Sequence, residues 1–194
     1  MEKVETTLNT QYGAFAIVCY TTKQREPDFA LVHGDIAGKP NVLTRVQSEC
    51  LTGHVFKSLS CDCYEQLQDA LALITSAPEG VLIYLRQEGR GIGLAAKLRS
   101  YVLQKQGLDT VDANLHLGFQ VDERRYDEAA EILKDLNVES VSLITNNPKK
   151  ATGLESVGIP VSRCVPLPPK LRDQNRNYLR TKVERMGHTF EITE

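Results

Sequence analysis

The chain of 194 residues predicts an α+β fold, a mixed α/β arrangement, built as one domain over residues 1–194. Three observations carry that reading. Apolar residues make up 41 % of the chain, enough at this length for a proper core. The N-terminal part consists of short runs of strand formers separated by turn residues, the pattern of antiparallel strands. Beyond it, helical periodicity alternates with short buried-type apolar runs, which gives β-α-β-α units.

Residues 1–11 are polar and read as a loose lead-in. Ala14 to Tyr20 is rich in strand formers, and Thr21 to Asp28, with Pro27, reads as a turn region. Phe29 to His33 is a second strand closed by Gly34 and Gly38, and Val42 to Val46 is a third. Asp62 is placed to cap a helix over about Tyr64 to Ser76, with Leu67, Ala70, Leu71 and Ile74 on one face. Val81 to Leu85 is a buried-type strand. The run Glu88-Gly89-Arg90-Gly91-Ile92-Gly93 then opens a helix from about Leu94 to Gln106, with Ala95, Leu98, Tyr101 and Val102 at helical spacing. Leu108 to Gln120 is less periodic and reads as a loop over a site. Asp122-Glu123-Arg124 starts a helix to about Leu136. Val141 to Thr145 is a strand, Asn146 to Lys150 a turn, and Ala151 to Ser156 a helix. Ile159 to Val165 is the last strand. Residues 166–194 form a C-terminal extension, broken first by Pro166, Pro168 and Pro169, with a helix over Asn177 to Met186.

A net charge of −2 argues against a surface that coats a nucleic acid polymer. The sequence has no secretory start pattern and no apolar run of membrane length, so a membrane partner is not expected. Five cysteines without such a start pattern point to a reducing cytoplasm.

Three of those cysteines fall in one stretch. Ten residues separate Cys50 from Cys61, and one separates Cys61 from Cys63. Three thiolates that close in sequence suit one zinc ion and leave a fourth tetrahedral position for water, the arrangement hydrolytic zinc needs. The competing reading is a chance group of buried thiols or a redox pair. A Cys61–Cys63 disulfide is set aside, because its ring would be very small and strained. Cys19 and Cys164 lie in apolar runs and read as small buried hydrophobes.

Three further stretches bear on anions. The glycines from Gly89 to Gly93, between a strand and a helix, would let backbone N–H groups approach a phosphate. Arg86 and Arg90 would add bidentate contacts, although the spacing fits neither a dinucleotide fingerprint nor a Walker motif. Asp122 beside Arg124 reads equally as a capped helix start. Asn147-Pro148-Lys149-Lys150 reads either as a plain turn or as a lysine delivered to a phosphate. Together with the cysteines, these stretches suggest hydrolysis of a nucleotide.

Several long motifs resemble GTP cyclohydrolase II. They are Arg45 to Gly53, Cys61-Asp62-Cys63, Leu85 to Leu94, Gly107 to Asn114, Leu117 to Phe119, Asp122 to Arg124, Thr145 to Lys150 and the closing Lys182 to His188, with Met186-Gly187-His188. The resemblance runs from about Tyr12 to His188. It implies an enzyme of the entry step of riboflavin synthesis, which opens the imidazole ring of GTP and releases formate and pyrophosphate. The product is 2,5-diamino-6-ribosylamino-4(3H)-pyrimidinone 5′-phosphate. By the same resemblance Cys50, Cys61 and Cys63 hold Zn2+. Arg45, Val46, Gln47, Ser48, Glu49 and Gln66 match GTP contacts, as do Thr110, Thr145 and Lys150. Glu88, Gly89 and Arg90 match the triphosphate site, where Mg2+ assists. Tyr101 matches a tyrosine set against the base, Asp122 the general base, and Arg124 a residue acting at the α-phosphate. For Arg124 an electrostatic clamp is the simpler account, because guanidinium is protonated at neutral pH. The family usually forms homodimers.

Four positions depart from the family pattern. The family commonly has His at Gln47, Asp at His54, Arg at Ser60 and Gly at Tyr64. His54 lies four residues beyond Cys50, within reach of a metal. A fourth protein ligand would turn a catalytic site into a closed one. Two alternatives follow: a paralogue that performs part of the reaction or acts on another nucleotide, and a non-catalytic zinc or nucleotide-binding module.

Overall fold

The computed structural model describes residues 2–22 and 25–192. Among them, seven strands form one sheet: β1 (Glu2–Thr10), β2 (Gly13–Thr22), β3 (Arg25–His33), β4 (Val42–Ser48), β5 (Gly80–Leu85), β6 (Val141–Ile144) and β7 (Val161–Val165). The order across the sheet is β1-β2-β3-β5-β4-β6-β7. The helices are α1 (Leu51–His54), α2 (Cys63–Ser76), α3 (Leu94–Lys105), α4 (Thr110–His116), α5 (Asp127–Asp135), α6 (Pro148–Ser156) and α7 (Arg176–Met186). The mixed α/β class is as the sequence predicts. β1, β2, β3 and β5 pair antiparallel, whereas β4, β6 and β7 pair parallel.

The chain separates into two compact units, each made of three segments. The first comprises residues 1–47, 67–86 and 126–167, and it holds most of the sheet. Its central strand β5 buries both faces. On β5, Val81, Ile83 and Leu85 enter one apolar cluster with Ala129, Ile132, Leu133 and Leu154 from α5 and α6. Leu82 and Tyr84 point the other way, into a cluster with Ala70, Leu71 and Ile74 of α2. Each fully buried aliphatic side chain contributes about 1.5–3 kcal/mol, so these two clusters hold the unit together.

The second unit comprises residues 48–66, 87–125 and 168–194. Here α3 packs on α4 and α4 on α7. Its buried apolar side chains are small or few, among them Ala96, Val111, Ala113, Leu179 and Met186. Ion pairs are prominent instead. Arg185 pairs with Asp109 and Asp112, Arg172 with Glu65, and Lys182 with Asp62.

Four expectations are corrected. Residues 2–10 of the supposed lead-in are a strand, paired with β2 from Glu2↔Thr21 to Thr10↔Gly13. β1 is exposed almost throughout, so ladder hydrogen bonds and threonine-rich strand propensity form it without burial. Residues 110–116 are helix α4 and not a loop. Asp109 caps it by accepting a hydrogen bond from the Asp112 N–H at 2.8 Å. The helix expected from Asp122 begins only at Asp127. Asp122 folds back onto the Arg124 N–H at 3.2 Å and onto its guanidinium, while the Glu123 N–H donates to the Arg90 carbonyl at 3.0 Å. Those bonds hold residues 122–124 in a turn. Cys164, expected to be buried, is exposed on β7.

Candidate functional site

β4 ends at Ser48. Cys50 follows and leads into α1, a single helical turn, while Cys61 precedes and Cys63 begins α2. All three cysteines belong to the second unit. Their Sγ atoms lie within 4.8 Å of one another, with Cys50 to Cys61 at 4.0 Å. Tetrahedral zinc with Zn–S bonds of about 2.3 Å needs sulfurs about 3.8 Å apart, so the donor set fits zinc. Gly53 makes room for it. A Cβ there would stand 3.1 Å from the sulfurs of Cys50 and Cys61 and 3.0 Å from Cys63 Cβ. Any side chain at position 53 would crowd the thiols.

The surroundings favour one thiolate, at Cys50. Cys61 and Cys63 donate toward the Cys50 sulfur and lower its pKa well below the thiol range; nearby Lys97 adds to this. The same arrangement pushes Cys61 up to about 11 and raises Cys63 well above the ordinary thiol range. The Lys97 ammonium donates to Cys50 Sγ at 3.1 Å and to Glu88 Oε1 at 2.8 Å. Burial would lower the Lys97 pKa, but the Cys50 charge and the Glu88 bond raise it, so it stays cationic.

Glu88 is itself committed to this loop. Besides Lys97, it accepts from the Leu51 N–H at 2.6 Å and from the Gly89 N–H at 2.7 Å. It begins a short 3-10 turn, Glu88–Gly91, in which Gly89 and Arg90 both adopt left-handed φ near 64°. Gly91 is left-handed as well, and a Cβ there would meet the Glu123 carbonyl at 2.9 Å. Arg90 Nη1 is buried without a hydrogen-bond partner. Tyr101, one helical turn beyond Lys97 on α3, has its hydroxyl 3.5 Å from Thr52 Oγ1, which in turn lies 3.6 Å from Cys50 Sγ. Burial raises the Tyr101 pKa despite Lys97 nearby, so the phenol keeps its proton.

Asp122 and Arg124 form a two-pronged ion pair. Arg124 Nε donates to Asp122 Oδ1 at 2.8 Å, and Nη2 donates to Oδ2. Burial pushes the carboxyl up, but Arg124 outweighs it and holds Asp122 below the usual carboxylate range. Between Cys61 and Cys63, Asp62 accepts from Lys182 at 2.9 Å and from Gln66 Nε2 at 2.6 Å. Thr110 is the first residue of α4, and Ser48 and Glu49 are half-buried just before Cys50.

The other expected contacts lie in the first unit. Arg45 is buried, donating from Nη1 to the Ile144 carbonyl and from Nε to Gln47 Oε1, both at 2.9 Å. Lys150 is buried and donates to the Val46 carbonyl at 2.7 Å. Thr145 Oγ1 accepts the Asn147 N–H at 3.0 Å. Asn147 in turn caps α6 through Lys149 N, with Pro148 in the first turn.

Sequence reasoning gave no individual role to Thr52, Gly53, Lys97, Tyr178 and Lys182, although Thr52, Gly53 and Lys182 lie in the motifs that carry the family resemblance. Lys97 had a signal, since it stands four residues before Tyr101 and so shares its helix face. The roles of Gly53 and Lys182 had none, because each is a contact between segments separated in sequence.

A family model described as GTP cyclohydrolase II matches residues 2–166. A GTP cyclohydrolase-2 from Picrophilus torridus is 50% identical over 185 residues, covering 94% of this chain and 95% of that protein. The riboflavin biosynthesis protein RibBA of Bacillus mycoides is 49% identical over 191 residues, 98% of this chain and 48% of that protein. The chain thus spans about half the length of the RibBA relatives. A crystal structure of RibBX, a two-domain 3,4-dihydroxy-2-butanone 4-phosphate synthase from A. baumannii, aligns with a TM-score of 0.40 at 19% identity. That alignment covers 74% of this chain and 34% of that one.

Proposed function

The chain belongs to the GTP cyclohydrolase II family and is an enzyme of it, and on that premise we propose how its residues divide the work. The reaction is the hydrolysis of GTP in riboflavin synthesis, with the imidazole ring opened and formate and pyrophosphate released. The observation that carries this reading is the three-thiol cluster, shaped by Gly53 and backed by Lys97, with the Tyr101 hydroxyl linked to it through Thr52. Zinc on Cys50, Cys61 and Cys63 supplies Lewis-acid polarisation and water activation when bound.

The chain's own residues do the rest. Lys97 offsets the negative charge that three thiolates gather in a buried place. Tyr101, kept protonated, presents its ring and hydroxyl beside the reacting carbon. Arg90, with a buried Nη1 to spare, receives phosphate oxygens. Glu88 supports that turn from behind, since its oxygens are bound to Lys97 and to two backbone N–H groups. Mg2+, when bound, would be held by the triphosphate oxygens, since the oxygens of Glu88 are already bonded within the protein. Arg124 steadies the α-phosphate as a charged clamp. Asp122 is a weak base while Arg124 holds it. It gains basicity when Arg124 turns to phosphate, which couples substrate arrival to proton acceptance. Arg45, Val46, Gln47, Ser48, Glu49, Gln66, Thr110, Thr145 and Lys150 complete GTP binding in this reading.

Residues 1–194 act as one catalytic domain in the same proposal, because the chain passes between the two units five times and neither is a continuous segment. The protein works in the cytoplasm as a homodimer. β1 supports that pairing, since it is an edge strand with Val4 and Leu8 exposed, a surface suited to a second copy. Among the described residues, no helix is long and apolar enough to cross a membrane.

The test is product analysis. Zinc-loaded protein is incubated with GTP and magnesium, and formate, pyrophosphate and nucleotide masses are followed. Equal formate and pyrophosphate, with the diaminopyrimidinone phosphate, is the expected result. Pyrophosphate without formate would show a partial reaction, and intact GTP would refute the assignment.

A further inference from the structure

The family match ends at residue 166, yet α7 reaches into the middle of the cysteine motif. Lys182, buried on α7, donates to Asp62 Oδ1 at 2.9 Å. Asp62 sits between Cys61 and Cys63, and its side chain is 0% exposed against 9% for Lys182. The second carboxylate oxygen takes the Gln66 amide at 2.6 Å. Asp62 is thus tied on one side to the helix that begins at Cys63 and on the other to the far end of the chain.

One turn earlier on α7, Tyr178 lies flat against the same cation. The Lys182 ammonium stands 4.5 Å from the ring centre. The Arg90 guanidinium approaches that ring at 5.9 Å. Tyr178 therefore meets two cations, one bound to the cysteine turn and one carried by the glycine-rich turn.

Burying Asp62 without a counter-charge would be strongly unfavourable. Nothing about the thiols themselves requires an aspartate between them. What the aspartate does is give α7 a handle on the Cys61–Cys63 turn.

We propose that α7 is a working part of the metal centre. Lys182 is a positioning residue that sets the Cys61-Asp62-Cys63 turn through Asp62, with Tyr178 holding Lys182 in place. The inference rests on the zinc reading above but not on turnover of GTP. Lys182 bonds to Asp62 between the two cysteines, so its lever on the site is where two of the three sulfurs stand.

Affinity for metal tests this in the full-length protein. Zinc dissociation constants are measured by competition with a chromophoric chelator, and Co2+ is used as a spectroscopic probe of thiolate coordination. Lys182→Met is expected to weaken zinc binding about tenfold or more, the usual effect of losing an outer-shell partner, and to shift the cobalt bands. The double variant Asp62→Asn/Lys182→Met removes both charges and is expected to recover most of that loss. Tyr178→Leu is expected to weaken zinc more than Tyr178→Phe, which keeps the ring. Parental affinity and spectrum in Lys182→Met would overturn the proposal. So would a double variant no better than Lys182→Met, including the case where neither folds. A parent protein that binds zinc but leaves GTP intact would sink the reaction assignment while these comparisons still decide the role of α7.

Discussion

Replacing Lys97 with methionine isolates what its charge does. Its ammonium is shared between Glu88 at 2.8 Å and Cys50 at 3.1 Å, and the Lys97 and Glu88 side chains are only 11% and 8% exposed. Methionine keeps most of the length and the packing while deleting the charge. Breaking a buried pair by removing one partner costs about 3–5 kcal/mol. Glu88 keeps two backbone N–H bonds in the variant, so the low end applies, about 3 kcal/mol. For a chain of this size that corresponds to a fall in Tm of about 6–12 °C. Calorimetry on the reduced, metal-free protein measures it. Lys97→Met combined with Glu88→Gln leaves no unpaired carboxylate and should be more stable than Lys97→Met alone. A Tm within about 2 °C of the parent would show that this pair is not what holds the loop, and the charge argument would fail.

Three other outcomes follow from the geometry. Gly153→Ala would bring a Cβ to 2.5 Å of the Tyr126 ring, so it should lose about 1–3 kcal/mol in denaturant unfolding. Asp62 has a folded pKa below its ordinary 3.8: burial raises it, but Lys182 and Gln66 outweigh burial. Its contribution to stability is therefore complete above that ordinary value and is lost as acid carries the pH down through the folded pKa. Unfolding scans of Asp62→Asn should lack part of the parent's acid-side decline and be weaker at neutral pH. X-ray absorption of the zinc-loaded protein should show three sulfur neighbours, with the same pattern in His54→Ala; a nitrogen neighbour lost in that variant would make His54 a ligand.

The fold was readable in outline because its strands announce themselves. Val81 to Leu85 is a continuous run of strand formers and Val141 to Ile144 is apolar except for Ser142, and both proved to be buried strands. β1 was not readable, since an exposed edge strand needs only a partner's backbone and leaves no hydrophobic pattern. The helix start at Asp122 was misplaced for the opposite reason. Asp-Glu is a sound helix opening, but the side chain of Asp122 spends its oxygens on Arg124, three residues before α5 begins. The three-cysteine cluster was visible as spacing. The second unit's other polar contacts were not, because Lys97 to Cys50 and Lys182 to Asp62 join positions 47 and 120 residues apart.

That second unit explains why its chemistry and its stability share residues. It has few large buried apolar side chains, so a thiol cluster and paired charges take over part of the holding. The substitution at His54 fits this economy. Its Nδ1 accepts the Cys50 N–H at 3.3 Å, and the ring also bonds the backbone of Cys63. Burial holds its pKa down, so it stays neutral and can accept. An imidazole used in this way joins the two cysteine segments through their backbones. Among the described residues the candidate ligand group contains the three sulfurs and not this ring. The departure from the family pattern at His54 thus bears on how the cluster is braced, and it leaves the hydrolytic reading intact.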